Sequence, residues 1–174
     1  MGQELVKETV NNHHINFAGG FEHYQHKNLH KKISDIIGIN SNHIVSDNPK
    51  KIFSNSDVII DFTTPQSTLQ NVLMALEENT PIVIGTTGLD DKIMDTIRKS
   101  SENVSILQST NMSIGVNLLF NLVQQTASKL QDIEYDIEIA ETHHKHKVDA
   151  PSGTAITLGK YAAKGRNKNF DEIK

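Results

Sequence analysis

The sequence predicts an open, doubly wound α/β fold with a parallel sheet, and three features predict it. Short apolar runs at 57–62, 81–84 and 104–107 alternate with segments whose apolar residues repeat at helical spacing. Strand and helix in alternation build βαβ units. Small polar turns, Gly19-Gly20, Thr63-Thr64, Gly85-Thr86-Thr87 and Ser109-Thr110-Asn111, follow the strands, at the carboxyl ends where such sheets bind ligands.

Taken in order, residues 3–11 read as a helix with Leu5, Val6 and Val10 inward, then a short strand at 14–18 runs into Gly19-Gly20. Residues 21–50 are polar and interrupted by Gly38, Asn40, Asn42 and Pro49, so loops are expected there. The run 57–62 is nearly continuous in apolar residues, as strands buried on both faces are. Pro65 suits a first helical turn, and Leu69, Val72, Leu73 and Leu76 give that helix an inward stripe. Next come a strand at 81–84, a helix over 90–101 with Ile93 and Ile97 inward, and a strand at 104–107. Ser113 stands where it caps a long helix whose face carries Val116, Leu119, Phe120, Val123, Ala127 and Leu130. Residues 135–140 alternate as a strand with one polar face, and 152–164 form a last helix. The series opens with a helix, whereas a dinucleotide-binding fold opens strand, glycine loop, helix; only Met1-Gly2 precede the helix here.

Composition narrows the class. At 36% hydrophobic and 22% charged residues the chain is globular rather than disordered. No apolar run approaches the roughly 18 residues of a membrane span, and the N-terminus has no signal-peptide core. The absence of cysteine excludes disulfides and thiolate metal sites and points to the cytoplasm. A net charge of −4 argues against a general nucleic-acid binder. The charge is uneven: residues 1–140 hold 10 Lys/Arg against 17 Asp/Glu, and 141–174 hold 7 against 4. A basic final segment fits a small anionic substrate, and equally a solvated surface.

That segment contains Glu141-Thr-His-His-Lys-His-Lys-Val-Asp-Ala-Pro-Ser-Gly-Thr154. If the strand at 135 runs on, Glu141, His143, Lys145 and Lys147 share one face while His144 and His146 share the other. A metal site needs imidazoles converging with a carboxylate; here the histidines split and two ammonium groups repel a cation, so no metal is expected. Acid catalysis fits better. Imidazole, with a reference pKa of about 6.5, gives up a proton near neutrality, and a neighbouring lysine holds a carboxylate. Pro151-Ser152-Gly153-Thr154 opens a helix, whose first N–H groups bind anions. A solvated His/Lys loop is the alternative on these residues alone.

The same stretch, extended to Ala155, resembles the glutamate-x-His-His-x-His-Lys-x-Asp-x-Pro-Ser-Gly-Thr-Ala signature of the dihydrodipicolinate reductase (4-hydroxy-tetrahydrodipicolinate reductase) family of bacterial lysine and diaminopimelate synthesis. Asp61-Phe-Thr63 with Pro65, Val83-Ile-Gly-Thr-Thr-Gly88 and Asn111-Met-Ser-Ile-Gly-Val-Asn117 resemble further family segments in the same order. The resemblance implies hydride transfer from NADH or NADPH to a cyclic unsaturated imine bearing two carboxylates. It implies His143 as proton donor acting with Lys147, His144 at the substrate, and Ser152, Gly153 and Thr154 at a substrate carboxylate. The nucleotide would lie along Gly85, Thr86, Thr87, Ser109, Thr110, Asn111 and Met112, with Glu22 accepting from ribose hydroxyls and His23 where some relatives place an arginine.

The resemblance further implies a Rossmann-like dinucleotide-binding domain over 1–112 and the start of an α+β substrate and tetramerisation domain over 113–174. Family members are homotetramers by that implication. The family's first strand and glycine loop belong before Met1, and its remaining substrate-domain strands beyond Lys174, so the sheet is expected to be incomplete, with open edges on the strands flanking the gap. The expectation for this chain alone is weak cofactor binding and little turnover, and an inactive nucleotide-binding or interaction module is the competing reading.

Overall fold

The computed structural model describes residues 1–130, 134–143, 145 and 150–173. The chain divides into two units, Met1–Gln108 and Ser109–Lys174.

The first unit opens with helix α1, Gly2–Asn11, in which Leu5, Val6 and Val10 are half-buried and no residue is fully buried. Residues 14–18 form no strand. Their alternation is right, but a strand's N–H and C=O groups need a neighbouring ladder, and among the described residues none lies alongside. The nearest pairing is an isolated bridge between Phe21 and Ser46. The loop-rich stretch holds two short helices that the sequence reading missed, α2 (Ile33–Ile37) and α3 (Pro49–Ser54). Pro49 occupies the first turn of α3, and the Asn48 side chain caps it by accepting from the Lys51 N–H at 3.1 Å.

The sheet follows. Strand β1 (Ile59–Asp61) leads through helix α4 (Pro65–Glu78) to β2 (Ile82–Ile84), then through α5 (Asp91–Ser100) to β3 (Ile106–Gln108). The strands are parallel in the order β1-β2-β3, with Ile59 opposite Ile82 and Ile82 opposite Ile106. Thr64 caps α4 and Asp90 caps α5, the latter accepting from the Ile93 N–H at 2.8 Å. The core lies on one face of this sheet, where Phe53, Ile59, Val72, Ala75, Ile82, Ile84, Ile93 and Ile97 are buried together.

Two details depart from the apolar pattern. The 57–62 run is not buried on both faces: Ile60 is 46% exposed and Val58 48% exposed on the side away from the core. On α4 the buried stripe is Thr68, Asn71, Val72 and Ala75, so Leu73 and Leu76 point outward although their spacing suggested otherwise. The smaller residues face the core. The third strand also starts later than expected, at Ile106 rather than Val104, and Val104 is buried just before it.

The second unit is a pair of helices, α6 (Ile114–Lys129) and α7 (Gly153–Gly165), with the short α8 (Phe170–Ile173) packed on α7. Small residues let α6 and α7 approach closely. A Cβ on Gly165 would lie 2.4 Å from the Gln124 carbonyl oxygen, and one on Gly159 would lie 2.3 Å from the Phe170 ring. Phe120 of α6 stacks on Tyr161 of α7 with ring centres 5.3 Å apart. Of the α6 face expected to be inward, Phe120 and Ala127 are buried, whereas Leu119 is 45% exposed.

The expected strand at 135–140 does not form; the segment is extended but unpaired among the described residues. It is held instead at its two ends on α7. The Arg166 guanidinium donates to the Tyr135 carbonyl, and Glu141 accepts from Ser152 at the other end of the helix. Fourteen helical steps from 152 to 166 cover about 21 Å, and six extended steps from 135 to 141 cover about 20 Å. The matching lengths account for the extended backbone without a partner strand.

The rotation of α4 gives a direct check. Replacing Val72, which is fully buried, by alanine is expected to lower stability by about 2 kcal/mol. Leu73→Ala on the outward side is expected to change it by no more than about 0.5 kcal/mol. Urea unfolding midpoints of the two variants measure the difference; equal losses would return Leu73 to the core face.

Candidate active site

Two clusters of sequence-predicted residues can be built up, one in each unit. In the first unit the turns after β1 and β2 are tied together. Gly85 donates its N–H to the Asp61 carbonyl at 2.8 Å, and Thr63 donates its N–H to the Thr86 hydroxyl at 2.9 Å. The Thr63 hydroxyl in turn donates to the buried Asp61 carboxylate at 2.6 Å. Gly85 is required by packing, since a Cβ there would lie 2.2 Å from the Phe62 ring. Gly85 and Thr86 therefore shape the turn, and Thr87, exposed beyond it, is free to face a ligand.

Glu22 and His23 are exposed after the Gly19-Gly20 turn. The Glu22 N–H donates to the Ser46 carbonyl at 3.0 Å, which leaves the carboxylate outward, 4.0 Å from His26. His23 lies against Tyr24, with ring centres 4.2 Å apart, and its Nδ1 accepts from the Gln25 N–H at 3.3 Å. Among the described residues no hydrogen bond or ion pair joins Glu22 or His23 to Gly85–Thr87. An outward carboxylate that accepts from sugar hydroxyls, with threonine hydroxyls and a glycine turn at the strand ends, is a donor set that fits a nicotinamide dinucleotide.

In the second unit, Ser109, Thr110, Asn111 and Met112 form the turn before α6, and this turn grips the start of α7. The Thr157 hydroxyl donates to the Gly153 carbonyl at 2.7 Å, so the Thr110 hydroxyl, 3.0 Å away, donates to Thr157. The Asn111 amide donates to the Thr154 hydroxyl at 3.4 Å and its oxygen accepts from the Ser113 N–H at 2.9 Å. The Asn111 carbonyl accepts from the Ser109 hydroxyl and from the Asn117 amide, each at 2.8 Å. Ser113 stands at the N-cap of α6 without a side-chain cap bond; Asn117 bonds its carbonyl instead, at 2.9 Å. The side chain of Asn111 is thus engaged in positioning, and Thr110 and Met112 are the exposed members of the turn.

The start of α7 gathers the remaining predicted residues that the structure describes. Ser152 is its N-cap, 2% exposed, with its hydroxyl oxygen accepting from the Ala155 N–H at 3.0 Å. The Ser152 N–H donates to Glu141 Oε1 at 2.8 Å, and the Ser152 hydroxyl donates to Glu141 Oε2. His143 Nε2 meets the same Oε2 at 2.7 Å. Three donors thus converge on one carboxylate. The bond from His143, then those from the Ser152 side chain and backbone, pull the Glu141 pKa from its ordinary 4.5 to about 2. Among the described residues nothing accepts from the N–H groups of Gly153 and Thr154. These two first-turn donors and the positive end of the helix dipole can receive an anion, and the imidazole beside them can give up a proton.

His144 and Lys147, the other expected site residues of the segment, lie outside the described residues, as does His146. Glu141 was read only as part of the segment; its role follows from the structure. The available signal was its position two residues before His143, on the same side of an extended chain. Thr157 was missed because Thr110 is brought near it only by the helix pairing, and Asn117 because its bonds to the Asn111 and Ser113 carbonyls depend on the shape of the turn. Among the described residues, no group of three metal-ligating side chains converges.

The depressed Glu141 carboxyl has a pH consequence. Its folded pKa lies below the ordinary value, so the tie is fully present above about pH 4.5 and is lost as pH falls through about 2. The Glu141 side-chain carboxyl ¹³C shift, followed against pH, is expected to titrate near 2; a midpoint near 4.5 would mean that the three bonds do not hold in solution.

The sequence was compared with known proteins. The family model described as dihydrodipicolinate reductase, N-terminus, matches residues 1–112, and that described as dihydrodipicolinate reductase, C-terminus, matches 115–174. The 4-hydroxy-tetrahydrodipicolinate reductase of Polynucleobacter necessarius is 35% identical over 173 residues, covering 99% of this chain and 65% of that protein. Its counterpart in Neisseria gonorrhoeae is 42% identical over 164 residues, covering 94% and 60%. Among solved structures, the dipicolinate-bound dihydrodipicolinate reductase from Paenisporosarcina sp. TG-14 aligns with a TM-score of 0.72 and 29% identity, over 95% of this chain and 62% of that one. The chain therefore spans roughly 60–65% of the length of the curated relatives it matches. With family matches running through both units, this chain belongs to the dihydrodipicolinate reductase family.

Proposed function

We propose that the protein acts as a 4-hydroxy-tetrahydrodipicolinate reductase, reducing a cyclic imine dicarboxylate to tetrahydrodipicolinate in lysine and diaminopimelate synthesis. The observation that carries this reading is the Glu141–His143 pair fixed at the start of α7 beside the uncommitted Gly153 and Thr154 N–H groups. The solved neighbour, which binds dipicolinate, supports a ring with two carboxylates as the ligand.

On this reading the first unit holds NADH or NADPH through Glu22, His23 and the turns at Gly85–Thr87. The bound dihydronicotinamide supplies a hydride. The chain supplies the rest. One substrate carboxylate sits on the Gly153 and Thr154 N–H groups, with Lys147 acting beside the donor and binding carboxylate and His144 at the substrate, as the family resemblance implies. The imidazolium of His143 delivers a proton, so hydride and proton together saturate one double bond. Glu141 keeps its charge throughout and balances the imidazolium before the proton leaves. A homotetramer in the cytoplasm is part of the same reading, and no helix among the described residues is long and apolar enough to cross a membrane.

Steady-state reduction kinetics test these roles in a full-length enzyme carrying this signature. His143→Gln is expected to lower kcat by about 10²-fold or more, the usual worth of a general acid. Gly153→Pro removes one anion-binding N–H at a helical position that proline tolerates. The preceding Ser152, at φ −66° and ψ 155°, already has the extended backbone that a following proline requires. Its KM is expected to rise about 10-fold or more, the loss of one charge-assisted hydrogen bond. Unchanged kcat in the first variant would remove His143 as the donor, and unchanged KM in the second would move the carboxylate elsewhere.

A further inference from the structure

We infer that Glu141 is a positioning residue that holds the Nε2–H of His143 and so makes Nδ1 the atom from which the transferred proton leaves. The inference rests on the reading of His143 as proton donor and adds which nitrogen is used and what selects it.

The geometry permits one arrangement of hydrogens. A backbone N–H can only donate, so the Ser152 N–H, 2.8 Å from Glu141 Oε1, fixes that oxygen as its acceptor. The other oxygen, Oε2, faces the Ser152 hydroxyl and His143 Nε2, the latter at 2.7 Å. The Ser152 hydroxyl oxygen already accepts from the Ala155 N–H at 3.0 Å, so its own hydrogen goes to the carboxylate. A carboxylate carries no hydrogen, with its pKa drawn down to about 2, so Nε2 must donate. The neutral ring then bears its hydrogen on Nε2 and a lone pair on Nδ1, which meets no partner among the described residues. When the ring is doubly protonated, the hydrogen on Nδ1 is the one not held by Glu141. Its loss leaves the N–H electron pair on Nδ1 and the Nε2–H bond to Glu141 unchanged, so the donor needs no ring rotation between its two states. The helix N-terminus at Ser152 anchors the carboxylate, and with it the ring.

Replacing Glu141 by glutamine makes a sharp test. The amide oxygen must still face the Ser152 N–H, which can only donate. That turns the NH₂ toward His143 Nε2 and the Ser152 oxygen, both able to accept. The tautomer of His143 should therefore reverse. Two-bond ¹H–¹⁵N correlations on this chain with ¹⁵N-labelled histidine report it for the neutral ring. The expected result is Nε2–H in the unmodified chain and in Ser152→Ala, which keeps the carboxylate, and Nδ1–H in Glu141→Gln. An Nδ1–H ring in the unmodified chain overturns the inference even if the glutamine variant does not fold, and so does an unchanged tautomer in a folded Glu141→Gln. In a full-length enzyme, Glu141→Gln is expected to lower kcat by about 10²-fold or more with KM little changed, since a wrong tautomer in a carboxylate–imidazole pair can reduce kcat by up to about 10⁴. Recovery of part of the activity in Glu141→Asp is expected as well. A reversed tautomer with unchanged kcat would overturn the assignment of Nδ1. Absence of any reduction by the unmodified full-length enzyme would instead remove the proposed function and leave the tautomer result standing.

Discussion

The carboxylate of Glu141 joins the segment before the histidines to the first turn of a helix. Its three hydrogen bonds bring His143 to the place where α7 presents its N–H groups. Without that tie, residues 134–143 would be held on the described part of α7 only through Arg166 and Tyr135. The imidazole is 37% exposed, so its orientation depends on hydrogen bonding rather than on packing. The same carboxylate takes the Ser152 N–H, while among the described residues nothing accepts from those of Gly153 and Thr154, which the proposed reading gives to a substrate carboxylate.

The α7 platform is itself a consequence of small residues. Gly159, Ala162, Ala163 and Gly165 are buried along α7, and Gly165 lets the helix backbone touch α6. The turn at 109–112 then reaches α7 through Thr110–Thr157 and Asn111–Thr154. The polar clasp and the Glu141 bridge lie within the first two turns of α7, and the close packing at Gly165 lies at its far end.

Much of this was legible in the residues. The strand–helix alternation from 57 to 108 and the helix starts at Pro65 and after Pro151 follow from local chemistry, which requires only neighbours in sequence. What was not legible required partners distant in the chain. Residues 14–18 and 135–140 alternate as strands do, yet alternation describes which side a residue faces and not whether a ladder exists. The stripe on α4 misled for a different reason: Leu73 and Leu76 are the more apolar residues, but Thr68, Asn71 and Ala75 are smaller and face the sheet. Gly85 was read as a place for a ligand's approach, and the structure gives its small size a packing reason, the Phe62 ring. Ser152 and Asn111 were read as ligand contacts, and the structure shows their side chains also bonded within the protein.

The division of the α7 start is the claim on which the account of the site turns, and native-state hydrogen exchange of three consecutive amides measures it most directly. In the protein without ligand, the Ser152 amide should exchange slowly, while those of Gly153 and Thr154 exchange freely. Addition of pyridine-2,6-dicarboxylate should slow Gly153 and Thr154 and leave Ser152 unchanged. A Ser152 amide that exchanges as fast as its two neighbours, and becomes protected only when the dicarboxylate is present, would contradict the account.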